Sequence, residues 1–181
     1  MDMESAPVTG RSAVDLFARD LAMCLSVHRD RGPALVWSDG AETFVAEPSM
    51  AGLPQTALTA EQPGSAPVVP SSPARAGELA EELGRLLGCE ARSTLLLLPV
   101  GRERPDNKAA TDLVLLPVEG GCDCRVDLEA ATDRARGQDA TLNLRLRVGE
   151  ALYVPCGLTY TLGGVHAPCI LQVISLHDSS W

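Results

Sequence analysis

The chain has 181 residues and a formal net charge of −9, and 45% of its residues are hydrophobic but only 3% aromatic. This length suits one domain, and the acidity with few rings argues against nucleic acid or an anionic membrane surface as the main partner. No window reaches the roughly 18 apolar residues of a membrane span, and the first ten residues lack the apolar run of a secretory signal. We therefore expect a cytoplasmic protein.

The N-terminal part is predicted to be a helix followed by a hairpin. Apolar residues recur at spacings of three and four over residues 12–29, and Gly32-Pro33 should end that helix. Strands at 34–37 and 42–45 are predicted next, because an Asp-Gly turn lies between them. We expect residues 1–47 to pack on the domain that follows.

Residues 48–75 are predicted to be a connection. The segment contains six prolines among Ala, Ser, Thr and Gly, a composition that buries little apolar surface. A second helix should begin at Ser72-Pro73, since proline is tolerated in a first turn, and should end near Gly88. Residues 76–181 are expected to contain this helix and a β domain.

From about residue 91 the chain is predicted to be all β. Seven short apolar or alternating runs are separated by turns, and they cover residues 93–100, 112–118, 122–128, 141–148, 151–154, 158–162 and 169–176. Asp106-Asn107-Lys108 is interpreted as a turn. Strands of this number and spacing form a sandwich or barrel. The predicted fold class is mainly β with N-terminal helices, an α+β arrangement.

Two stretches of the C-terminal 90 residues resemble the cupin superfamily, and within it the JmjC-like branch of protein hydroxylases. Residues 146–160, LRVGEALYVPCGLTY, are similar to the second motif of that branch, a Gly-acid pair, a Leu-Tyr-Val-Pro strand and a Gly turn. Residues 104–126, RPDNKAATDLVLLPVEGGCDCRV, resemble its first motif. The resemblance implies a double-stranded β-helix, the barrel also called a cupin or jelly roll.

In that branch two histidines and a carboxylate hold Fe(II) and leave open positions for 2-oxoglutarate and oxygen. Carried over by register, the three ligand positions fall on Asn107, Ala109 and Tyr160. A basic residue that pairs with 2-oxoglutarate falls on Cys122. An amide, a methyl group and a phenol do not make an Fe(II) site, because Ala109 has no donor atom and a phenol ionises only near a pKa of about 10. We therefore expect no cofactor.

The expected function is that of a degenerate, iron-free cupin that acts as a binding or accessory protein. Asn107, Ala109, Cys122 and Tyr160 would line a barrel cavity that holds a small molecule or peptide. A protein partner and a homodimer through a sheet edge are further expectations. High Ala, Arg, Pro and Gly usage is typical of a bacterial gene, which suggests a role beside a biosynthetic enzyme.

The alternative is a cupin-fold enzyme that uses another metal or none, or, less favoured, an Fe(II)/2-oxoglutarate hydroxylase. Cys156, His166 and Cys169 could form a zinc site with an open fourth position. The simpler interpretation is a solvated His166 and reduced thiols that fill the core. Cys122 and Cys124 should share one strand face, as a soft-metal or redox pair or, more simply, as small core residues.

Overall fold

The structure is a computed structural model that describes residues 10–29, 31–37, 68–69, 74–128 and 140–177. The described residues form two helices, α1 (Gly10–His28) and α2 (Ala74–Leu87). They also form ten strands: β1 (Ala34–Trp37), β2 (Val68–Val69), β3 (Glu90–Leu98), β4 (Arg104–Lys108), β5 (Asp112–Glu119), β6 (Gly121–Asp127), β7 (Thr141–Arg147), β8 (Glu150–Val154), β9 (Thr159–Gly163) and β10 (Cys169–His177). No helix in these ranges is long and apolar enough to cross a membrane.

The strands form two antiparallel sheets that face each other. The large sheet has the order β1-β8-β5-β10-β3-β2, and the small sheet has the order β4-β9-β6-β7. From β3 to β6 successive strands alternate between the sheets, β6 and β7 pair within the small sheet, and β8 to β10 alternate again. This is the strand order of a double-stranded β-helix. The predicted fold class, mainly β with N-terminal helices on such a barrel, is confirmed.

Apolar side chains fill the space between the two sheets. On β6, Cys122, Cys124 and Val126 are buried while Asp123 and Arg125 between them are exposed. This alternation follows from the period of two in a strand, so the predicted shared face of the two cysteines is confirmed. The interior set continues on the other strands with Leu96, Leu98, Leu113, Leu115, Leu146, Leu152, Leu162 and Leu171.

The two helices cover the outer face of the large sheet. Their buried side chains are Val14, Phe17, Ala18, Leu21 and Leu25 of α1 and Leu79, Ala80 and Leu83 of α2. These side chains pack against the strand residues that point away from the barrel interior, such as Val114, Tyr153 and Ile174. Burial of one such Leu or Phe contributes about 1.5–3 kcal/mol. Both predicted helices are present, and each ends where the Gly-containing signal placed its end.

The segment Asp106-Asn107-Lys108 differs from the prediction, because it belongs to strand β4 and not to a turn. Asp106 has a φ of +50°, and the register of β4 against β9 shifts between Arg104 and Asn107. This is a β-bulge, which inserts an extra residue into one strand. Asp and Asn favour both turns and bulges, so the sequence indicated the local bend but not the strand that contains it.

The hairpin prediction is only partly within the described residues. Strand β1 is present and pairs with β8, where Ala34 lies opposite Tyr153 and Trp37 opposite Glu150. The predicted partner strand 42–45 and its turn lie outside the described residues. Most of residues 48–75 also lie outside them, and Val68–Val69 pairs with β3. The division of the chain at residues 47 and 75 stays a prediction.

Candidate functional site

Three of the four predicted cavity residues meet where β4 and β9 pair. Asn107 lies directly opposite Tyr160. Ala109 follows β4 and is held by two backbone bonds, its N–H donating to the Leu158 carbonyl at 2.9 Å and its carbonyl accepting from Gly157 at 2.8 Å. Ala109 is buried among the interior side chains, and Tyr160 packs against them. We call the region of Asn107, Ala109 and Tyr160 the β4–β9 end of the barrel.

Cys122 faces the same interior but lies away from the β4–β9 end. Tyr160 is opposite Val126 on β6. Four residues of extended strand, about 13 Å, separate Val126 from Cys122. The thiol of Cys122 instead donates a hydrogen bond to Cys169 of the large sheet. The structure therefore brings Asn107, Ala109 and Tyr160 together and separates Cys122 from them.

The Asn107 side chain is used to hold the bulge. Its Nδ2 donates to the Arg104 carbonyl at 2.8 Å and to the Tyr160 carbonyl at 3.3 Å. The Asp106 N–H donates to the Thr161 hydroxyl at 3.3 Å. These bonds satisfy groups that the extra residue takes out of the regular strand ladder. The amide nitrogen of Asn107 thus has a structural role that the sequence did not reveal.

A basic side chain, Arg104, lies beside Tyr160, and no sequence pattern predicted it there. Arg104 is opposite Leu162, an interior residue, and opposite residues of an antiparallel pair share one face. Burial raises the pKa of the Tyr160 phenol, and the positive charge of Arg104 opposes that shift. The phenol is therefore a neutral hydrogen-bond donor at pH 7. The position of Arg104 depends on the bulge, which no sequence pattern indicated.

The residues at the β4–β9 end do not fit an Fe(II) site. Ala109 has no donor atom, and Asn107 offers only a neutral amide oxygen, a weak ligand, because its nitrogen donates to two carbonyls. The raised pKa of Tyr160 disfavours the phenolate that a metal would require. In the part of the chain that the structure describes, no group of three or more His, Cys, Asp or Glu side chains is placed to hold a metal ion.

The zinc set considered from the sequence is not assembled. Cys156 is exposed, and its N–H donates to the Asp112 carboxylate at 2.9 Å, at the beginning of β5. Cys169 is buried, and the next residue of β10 pairs with Glu119 at the other end of β5. His166 is exposed in the turn before β10. The structure therefore separates Cys156 from Cys169 by the length of strand β5.

The buried thiols belong to the packed interior. All six cysteines are free. The hydrogen bond to Cys169, together with burial, raises the pKa of Cys122, and the same bond lowers the pKa of Cys169. Burial raises the pKa of Cys124 to about 12. Cys122 and Cys124 are consequently protonated at pH 7 and behave as small apolar groups.

A concave surface lies on the outer face of the small sheet. It is a groove of about 410 Å³ lined by Glu103, Asp123, Arg125, Asn143 and Thr161, together with residues of β7 and the Gly163-Gly164 backbone. At its edge Arg145 pairs with Asp123 at 2.7 Å and donates to the Gly164 carbonyl at 3.1 Å. The groove lies outside the barrel, whereas the sequence predicted a cavity in the barrel interior.

No family model matches the sequence, and no curated protein matches it. Drosophila melanogaster CENP-C bound to CAL1 is a similar solved structure, with 16% identity and a TM-score of 0.38 over 45% of this chain and 61% of that chain. A mutant of Bacillus subtilis oxalate decarboxylase has 15% identity and a TM-score of 0.42 over 50% of this chain and 22% of that chain. An RmlC-like cupin family protein from Methanocaldococcus jannaschii has 15% identity and a TM-score of 0.36 over 49% of this chain and 71% of that chain.

The chain has the double-stranded β-helix fold. This statement rests on the strand order from β3 to β10. The chain spans about three fifths of the CENP-C chain and about a fifth of the oxalate decarboxylase chain that it matches. Because one fold hosts many functions, the function has to be argued from the residues at the β4–β9 end.

Proposed function

We propose that this protein is a degenerate, iron-free relative of the JmjC-like cupins that acts by binding. The observation that carries the proposal is the β4–β9 end. Asn107, Ala109 and Tyr160 meet there, as the carried-over ligand register requires. This proximity supports the register, while the missing donor atom of Ala109 and the neutral, weakly coordinating amide of Asn107 support the absence of iron.

The bound species in this proposal is a small molecule or peptide at the β4–β9 end, which leaves the protein in an accessory role beside a bacterial biosynthetic enzyme. Protein purified without chelator, supplied with Fe(II) and desalted should retain far less than one iron per chain. It should not convert 2-oxoglutarate to succinate. Elemental analysis measures the iron content, and a succinate assay measures the conversion of 2-oxoglutarate. Stoichiometric iron together with turnover would overturn the proposal.

The register itself can be tested by restoring the ligands. The triple variant Asn107→His, Ala109→Asp, Tyr160→His places the family's ligand types at the three positions, and we expect it to gain Fe(II) binding. The matched control moves each change by one residue, to Lys108→His, Ala110→Asp and Thr161→His. The three new side chains then point to the opposite face of their strands. Iron binding by both variants or by neither, with folding checked by circular dichroism, would contradict the carried-over register.

A homodimer through a sheet edge stays a separate proposal. The edge strands of the small sheet are β4 and β7. Every second side chain of strand β7 is exposed, and these include Arg145 and Arg147. Charged residues on an edge oppose strand pairing between copies. Strand β4 has three charged residues, a proline and the bulge, which also oppose pairing, so neither edge of the small sheet is favoured for the dimer. Light scattering that gives the mass of a monomer would remove the dimer from the proposal.

A further inference from the structure

The side chain of Arg104 is an unusual feature of the barrel interior. It is partly buried and shares the interior face with Leu162. In the described part of the chain its guanidinium makes no ion pair or side-chain hydrogen bond. A half-buried guanidinium without an anionic partner in the described residues can pair with an anion from outside the chain.

The bulge is the reason why Arg104 faces inward. In a regular strand, residues three apart point to opposite faces, so Arg104 and Asn107 would lie on different sides of the sheet. The extra residue between them puts Arg104 opposite Leu162 and Asn107 opposite Tyr160, which are two residues apart and share the interior face. The two Asn107 bonds and the Asp106–Thr161 bond hold this arrangement.

The surroundings of Arg104 define the chemical class of the anion. The neutral Tyr160 hydroxyl is a second donor on the same face. Beside it, Tyr160, Val126 and Leu142 form a row across the interior face of the small sheet, and Leu158 is partly buried near Tyr160. One guanidinium and one hydroxyl match the two oxygens of a carboxylate, whereas a phosphate has more oxygens to satisfy.

We propose that the β4–β9 end binds a small monocarboxylic acid, with its carboxylate on Arg104 and Tyr160 and its apolar body along Leu142 and Leu158, side chains that are half-buried. This inference rests on the proposed binding function and specifies its ligand. The guanidinium supplies the positive charge that a metal would otherwise supply to an anionic ligand.

The probe is benzoate, with benzamide as a neutral compound of nearly the same shape, measured by titration calorimetry at low salt. We expect saturable benzoate binding and at least about tenfold weaker binding of benzamide. Arg104→Gln should weaken benzoate binding by at least about tenfold, and Tyr160→Phe by severalfold. The control Arg102→Gln removes an exposed positive charge just before β4 and should change the affinity by less than about twofold.

Equal binding of benzoate and benzamide, or unchanged affinity in a folded Arg104→Gln variant, would overturn the inference. No saturable binding of benzoate, hexanoate or acetate at millimolar concentration would also overturn it, and so would tighter Arg104-dependent binding of inorganic phosphate. Iron is measured in the same wild-type preparation. Benzoate binding that a chelator abolishes and Arg104→Gln preserves would contradict the proposed function as well. If the protein is iron-free and does not bind benzoate, that result would contradict the carboxylate site but not the proposed iron-free binding function.

Discussion

The clamp that Asn107 forms across the β4 bulge gives the sharpest stability prediction. Asn107→Ala removes the 2.8 Å bond to the Arg104 carbonyl and the 3.3 Å bond to the Tyr160 carbonyl. At about 1 kcal/mol for a good hydrogen bond and less for the longer one, the loss should be about 1–2 kcal/mol. For a chain of this size that corresponds to a fall in Tm of about 2–8 °C. Denaturant unfolding followed by circular dichroism measures the free energy of unfolding directly.

Two further variants make the prediction specific to the donor. Asn107→Asp keeps the shape but replaces the N–H donor by an anion that faces two carbonyl oxygens, so it should destabilise at least as much as Asn107→Ala. Asn143→Ala removes an asparagine on β7 whose side chain makes a 3.5 Å contact with Thr141, and it should change stability by less than about 0.5 kcal/mol. If Asn107→Ala has the wild-type free energy of unfolding, or if Asn143→Ala loses as much stability, the stabilising role of the Asn107 hydrogen bonds is contradicted.

Three other predictions follow from glycine geometry and from the thiols. Gly120→Ala should destabilise by clearly more than Gly101→Ala, because the two φ angles are +71° and +69° but only at Gly120 would the new Cβ lie 2.5 Å from a backbone oxygen, that of Pro168. Backbone strain should cost both variants about 1 kcal/mol of unfolding free energy. Equal losses in denaturant unfolding would therefore contradict the close contact at Gly120. The exposed Cys156 should react with a thiol reagent in the native state and the buried Cys124 only after unfolding, as peptide mass mapping would show. The pKa of Cys124 is raised by burial from 9.0 to about 12, so its contribution to stability is complete below pH 9 and is lost as the pH rises toward 12. Cys124→Val should flatten that alkaline fall by up to about 1.4 kcal/mol per pH unit, and an unchanged slope would mean that the thiol does not titrate with folding.

The sequence predicted the elements in which one periodicity dominates. In β6 and β7 every second residue faces the core, so the alternation is visible in the sequence and the strands lie where it indicated. The two helices show apolar spacings of three and four because one face packs on the sheet. Strand β4 has no such pattern, since it is a short edge strand whose side chains are mostly exposed or half-buried. A turn was therefore the natural interpretation of its Asp-Asn pair.

The candidate site could be predicted only in part, for a related reason. The resemblance placed Asn107, Ala109 and Tyr160 near one another, and the pairing of β4 with β9 brings them together. It also placed Cys122 with them, because register along a strand does not reveal which end of the barrel a residue occupies. Arg104 could not be found from the sequence, since its inward direction arises from one extra residue between two pairing positions.

The bulge connects the residues at the β4–β9 end, which do not fit an Fe(II) site, with the proposed anion site. A metal needs three side chains whose donor atoms converge on one point, and each of those side chains is then unavailable for other contacts. A guanidinium needs no ligands and delivers its charge from a single strand position. With Arg104 inside the barrel, Asn107 is free to hold the backbone and Ala109 to pack in the core, which are the contacts that the structure shows for them. The bulge that turns Arg104 toward the interior is thus held by the side chain of Asn107, one of the three carried-over ligand positions.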